Sequence, residues 1–152
     1  MKPFSWKLGI VSMTLLISLS SVYGQATTTE EASAENAQID QEILARGIRG
    51  YQANLRSEVD AIVESAVLHA AIMCLKFPDQ DYAKIVDELR RLSFAATNPR
   101  LRYKAYLAAT IMPNPGQFLD RDQCGQLLLF NDETSNEFFA IVAAALQYKL
   151  AD

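Results

Sequence analysis

Apolar residues recur along this chain at steps of three and four, the spacing that puts side chains on one face of an α-helix. Ile39, Ile43, Ile48, Tyr51 and Leu55 predict a first helix, weakened where Gly47 and Gly50 interrupt it. Val59, Ile62, Val63, Ala66, Val67, Ala70, Met73, Cys74 and Phe77 predict a second, with Leu68, Ala71, Ile72 and Leu75 widening its apolar surface. A surface that wide must be covered on two sides, so this helix is expected at the centre. Ser57-Glu58-Val59-Asp60 reads as its capping signal and Pro78 as its stop.

Tyr82, Ile85, Val86, Leu89 and Leu92 make one stripe of a third, amphipathic helix capped by Asp79 or Asp81. Its polar side suggests i, i+4 pairs of Lys84 with Glu88 and Asp87 with Arg91. Thr97-Asn98-Pro99 starts a fourth helix, because Asn suits the N-cap and Pro at N1 lacks only a donor that would be unpaired anyway. Pro113-Asn114-Pro115-Gly116 stops it. Phe118 to Phe130 predicts a short or irregular fifth helix around Gly125. Thr134-Ser135-Asn136-Glu137 predicts the cap of a sixth, with Phe138, Phe139, Ile141, Val142, Ala145, Leu146 and Leu150 on its apolar side. No run alternates long enough to predict a strand.

One phrase recurs. Leu68-His69-Ala70-Ala71-Ile72-Met73 returns 39 residues later as Leu107-Ala108-Ala109-Thr110-Ile111-Met112, with a looser echo at Ile141-Val142-Ala143-Ala144-Ala145-Leu146. A period near 40 on helical spacing is the mark of stacked helix pairs. The expected fold is all-α: about six helices in three antiparallel pairs, stacked as a short superhelical array.

Asn98-Pro99-Arg100-Leu101-Arg102-Tyr103-Lys104-Ala105 resembles the second helix of a HEAT-type repeat. Leu101, Arg102 and Ala105 occupy its apolar, arginine and alanine places, and Ala109 continues the small-residue ridge. The likeness is specific over residues 97–112; at offset 39, Val63 stands where Arg102 would be. The resemblance to HEAT/armadillo-like proteins implies a binding scaffold without naming its partner.

The start of the chain changes the compartment expected for this fold. Lys2 and Lys7, the apolar stretch Leu8–Leu19, and the small-residue sites Val22-Tyr23-Gly24 and Gly24-Gln25-Ala26 predict a cleavable signal over residues 1–24. The apolar stretch is short for a membrane span, which needs about 20 residues. Residues 25–36 hold no large apolar side chain and predict a disordered leader; 37–152 is the expected helical-repeat domain. The chain is thus expected to be secreted or periplasmic, in the pattern of bacterial export.

Cleavage would remove Lys2 and Lys7, taking the charge balance from 14 basic against 18 acidic to 12 against 18, a net −6. Such an acidic chain argues against general nucleic-acid binding. Export permits a disulfide between Cys74 and Cys124. Stacked pairs would hold those two residues far apart, which favours separate thiols over a bridge.

Candidate chemistry is sparse. His69 is the only histidine and stands beside the apolar stripe of the second helix, with no catalytic partner at a motif spacing. Glu64 and Ser65 are expected to point elsewhere. Asp79-Gln80-Asp81 and Asp120-Arg121-Asp122 lack the further ligands of a calcium loop. No metal or cofactor is expected.

Arg90, Arg91, Arg100, Arg102 and Lys104 form a run of cations free of acids, three of them near the start of a helix whose dipole disfavours them. They are offset by acids such as Asp87 or Glu88, or they await an acidic partner or an anionic lipid or glycan surface. Tyr103 and Tyr106 share the polar side of the fourth helix with Arg102, and Tyr with Arg is the composition of interface hot spots; the alternative is that both pack against the adjacent helix pair and hydrogen-bond there.

The expected function is therefore a non-enzymatic interaction scaffold contacting a protein partner, one that could be acidic, through Arg100, Arg102, Tyr103 and Tyr106. The alternatives are a carrier of an apolar ligand between helices near Met73 and Met112, or an accessory subunit of an envelope complex.

Overall fold

The structure, a computed structural model, describes residues 25–151, with side chains from Asp40 to Lys149 and at Ala151. The predicted signal segment lies outside the described residues, as do the side chains of Ile39 and Leu150. The described residues form seven helices and no strand: α1 (Gln25–Asn54), α2 (Asp60–Lys76), α3 (Ala83–Ala95), α4 (Pro99–Ile111), α5 (Pro115–Phe118), α6 (Arg121–Leu127) and α7 (Ser135–Ala151). The chain divides after Ile43 into two units. The described part of the first is the helical stretch 25–43, so α1 takes in residues 25–36, which were expected to be a leader. Those residues are mostly Ala, Glu, Gln and Thr without Gly or Pro, and nothing among them breaks a helix.

The second unit, from Leu44 onward, is organised around α4, which packs on α2, α3, α5 and α7. α1 runs through both glycines to Asn54 instead of breaking at them. At Gly47 a Cβ would come within 3.3 Å of the Met73 Cε, so the missing side chain makes room for α2, whereas Gly50 has open space around it.

α2 does not start as a capping box. Ser57 Oγ accepts from the Val59 N–H at 3.1 Å, Val59 is the N-cap with no side-chain hydrogen bond, and Asp60 begins the helix. The start of α4 follows the local signal: the Asn98 Oδ1 accepts from the N–H groups of Arg100 and Leu101, with Pro99 in the first turn. The expected fifth helix is two. Leu119, buried, and Asp120 separate α5 from α6, and a reciprocal cap between Asp120 and Gln123 starts α6, so the break precedes Gly125.

The repeated phrase is core. Leu68, Ala70 and Ala71 on α2 are fully buried, Leu107 through Ala109 and Ile111 on α4 are buried, and so are Val142, Ala145 and Leu146 on α7. α2 and α4 run in the same direction. Glu64 near the start of α2 pairs with Lys104 near the start of α4, and at the far end the Cys74 thiol donates to the Met112 carbonyl at 3.3 Å. Alanines at the contact let the two helices approach closely, and each large side chain buried there contributes about 1.5–3 kcal/mol.

Candidate functional site

The five cations of the basic run separate by environment. On α3, Arg90 pairs with Asp87 at 3.4 Å and Arg91 with Glu88 at 2.7 Å, and Glu88 also receives Arg56 from beyond the end of α1. These are i, i+3 contacts, in place of the expected i, i+4 pairs, and they draw Glu88 toward Arg56. Hydrogen bonds from Arg91, against some loss of hydration, and then from Arg56 hold the Glu88 carboxyl below its usual range.

Lys104 is no surface cation. It is 3% exposed, and its ammonium donates to Glu64 Oε1 and, at 2.9 Å, to Ser135 Oγ, while lying 5.4 Å from the centre of the Phe139 ring. Glu64 also stands 3.5 Å from the Arg100 guanidinium, which donates in turn to Asn136. The starts of α2, α4 and α7 are therefore tied at one charged centre. A carboxylate there offsets the positive end of the α4 dipole that the cations oppose.

Arg102 turns outward and donates to the Ala96 carbonyl at 3.1 Å. Beside it Tyr103 is 51% exposed and Tyr106 is 53% exposed. The four residues singled out in the sequence are thus all on the open side of α4, with Arg100 anchored at one end.

Next to them an open groove of about 440 Å³ runs between α4 and α7. Tyr103 and Arg100 form one wall; Asn136, Ala140, Ala144 and Gln147 follow one another along α7 on the other. Ala140 and Ala144 had no polar or aromatic signal in the sequence. Only the meeting of α4 with α7 makes them part of this surface.

His69 does have partners. Its Nε2 lies 3.2 Å from Asp132 Oδ2, its ring stacks on Tyr51 with centroids 6.4 Å apart, and Ser65 hydrogen-bonds the same carboxylate. Ser65 was expected to point away; at i and i+4 it and His69 share a face, and both meet the loop before α7. The bond from Ser65, followed by that from His69, lowers the Asp132 carboxyl below its ordinary range despite partial burial. Asp132 stands between the hydroxyl and the ring, so the arrangement ties the α6–α7 loop to α2. It lacks the hydroxyl-to-imidazole link that activates a serine nucleophile.

One acid of each pair serves the backbone. Asp81 accepts from the Ala83 N–H at 2.9 Å, although the N-cap of α3 is Tyr82, with no side-chain hydrogen bond, and not Asp79 or Asp81; Asp120 caps α6. No group of three or more potential ligands among His, Cys, Asp and Glu is gathered among the described residues. Cys74 and Cys124 are separate thiols. Burial pushes Cys74 up to about 11 and also raises Cys124, where Asp120 adds to the effect. Met112 is buried and Met73 packs against the core. No helix among the described residues is long and apolar enough to cross a membrane.

Comparison with protein-family models, with curated proteins and with solved structures returned no match. The likeness of residues 97–112 to a HEAT-type repeat thus stands on those residues alone.

Proposed function

We propose that this protein is an exported, non-catalytic helical-repeat protein that binds another protein through the open face of α4. One observation carries the reading: two half-exposed tyrosines, Tyr103 and Tyr106, lie one turn apart beside Arg102 on the helix that packs against four others. A helix held on that many sides presents its outer residues with little conformational freedom left to lose, which favours association. Tyrosine and arginine supply large contact area with a polar end. The HEAT-like stacking of helix pairs is part of the same proposal. It is supported by the buried repeat of α2 and α4 and by their common direction.

Photo-crosslinking tests the reading. A benzophenone side chain placed at Tyr103 or Tyr106, in the full chain and in the cells that make it, is expected to trap one defined protein. The same group at Phe94, which is 87% exposed on α3, is expected to give no such adduct. Equal labelling at all three positions, or no adduct at Tyr103 and Tyr106, would contradict it.

A further inference from the structure

We propose that the α4–α7 groove seats an amphipathic helix of the partner protein, antiparallel to α4 and α7, with a carboxylate near its C-terminal end against Arg100. This rests on the partner-binding function proposed above and names the chemistry of the partner.

Charge is the first reason. The charged side chains lining the groove are Arg100 and Lys104, both cationic, in a chain whose net charge is −4. Glu64 faces both of them, so two positive charges share one carboxylate and one remains for a partner. Lys104 is buried beneath, which leaves the exposed guanidinium of Arg100 as the group that can meet an incoming acid. Arginine suits that task because its planar fork can hold one carboxylate while contacting another.

Shape is the second. From Asn136 to Gln147 the groove follows about 16 Å of α7, roughly three turns. Ala140 and Ala144 are exposed along it, where an outer helix face ordinarily carries long polar side chains. Small side chains at that spacing allow a second helix to come within packing distance. The described residues hold no strand, so there is no sheet edge among them for an extended peptide to join.

Direction follows from the dipoles. Pro99 and Ser135 put the beginnings of α4 and α7 at the Arg100 end of the groove, and both helix starts are positive. A partner helix is favoured with its negative C-terminal end there.

The test places a benzophenone side chain at Ala140 or at Ala144 in the full chain, crosslinks in the producing cells, and maps the adducts by mass spectrometry. Both positions are expected to reach one helical segment of a different protein. Ala140, nearer Arg100, should reach a residue C-terminal to the one reached from Ala144, close to an Asp or Glu. Arg100→Gln should lower the yield at least fivefold. Should that variant no longer melt cooperatively, Ala140→Glu, which puts a carboxylate into the groove away from the Glu64 pair, should lower the Ala144 yield to the same degree. Adducts in the reverse order, on a segment without a carboxylate, on a lipid, on a second copy or on the chain's own first residues would overturn the proposal, as would a yield insensitive to both variants. Adducts at Tyr103 and Tyr106 with none at Ala140 and Ala144 would remove the groove and leave the α4 face as the binding surface. No adduct at any of the four would remove both.

Discussion

Lys104 shows how far a residue's role can depart from its local setting. In the sequence it is one cation in a basic run; in the fold it is the buried partner of Glu64, 40 residues away. Breaking a buried pair leaves a charge uncompensated and costs about 3–5 kcal/mol. Glu64 is partly exposed and keeps Arg100 nearby, which reduces the loss. Lys104→Met is therefore expected to destabilise the domain by about 2–3 kcal/mol in urea unfolding, and Glu64→Gln in the same background should add little. Full additivity of the two would show that they do not form one unit.

The acids act in a definite pH window. Glu88 and Asp132 have carboxyls lowered in the folded state from ordinary values of 4.5 and 3.8. A depressed folded value contributes stability that is present above the unfolded value and is lost as pH falls through the folded one. Stability should thus decline progressively below about pH 4.5. Glu88→Gln should be less stable at pH 7 yet lose less on acidification, as followed by thermal melts between pH 7 and 3. The thiols provide a separate check. With its thiol raised to about 11, Cys74 should resist a thiol reagent at pH 8 while the protein is folded, and Cys124 should react first. Both should react after unfolding without reductant.

At the scale of elements, the starts and stops written in neighbouring residues were legible. Asn98-Pro99 and the prolines after Phe77 and Met112 act through bonds within a turn or two: α4 begins at Asn98-Pro99, and α2 and α4 end just before Pro78 and Pro113, whereas the start of α2 at Asp60 did not follow the Ser57 signal. Signals that depend on what a helix packs against were not. Gly47 and Gly50 look alike in sequence, but only Gly47 faces Met73. Gly50→Ala should therefore stabilise the domain by about 0.5–1 kcal/mol, and Gly47→Ala should gain less or lose stability, in paired melts. Leu107→Ala, in the buried ridge shared by α2 and α4, should cost about 2–5 kcal/mol. The split into α5 and α6 escaped the periodicity because both pieces are too short to show a period, and only Asp120 with Gln123 marks the second start.

For the molecule as a whole, the helical class was legible because apolar spacing alone specifies it. The surface was half legible. Arg102, Tyr103 and Tyr106 share a face of one helix, and that follows from 3.6 residues per turn. That Asp87 and Glu88 offset Arg90 and Arg91 was one of the alternatives the charge pattern offered. That Lys104 is occupied internally, and that Ala140 and Ala144 complete a groove, depends on contacts between helices far apart in the chain that no local pattern records.

The central claim is that α4 carries a binding face independent of the core beneath it. The measurement that tests it most directly compares affinity capture by the wild-type chain and by Arg102→Glu with Tyr106→Ala, alongside the thermal melt of each. These side chains are exposed, so both proteins should melt cooperatively within a few degrees of each other, while the double variant loses at least nine-tenths of the captured partner. Undiminished capture by a cooperatively folded double variant would contradict the account.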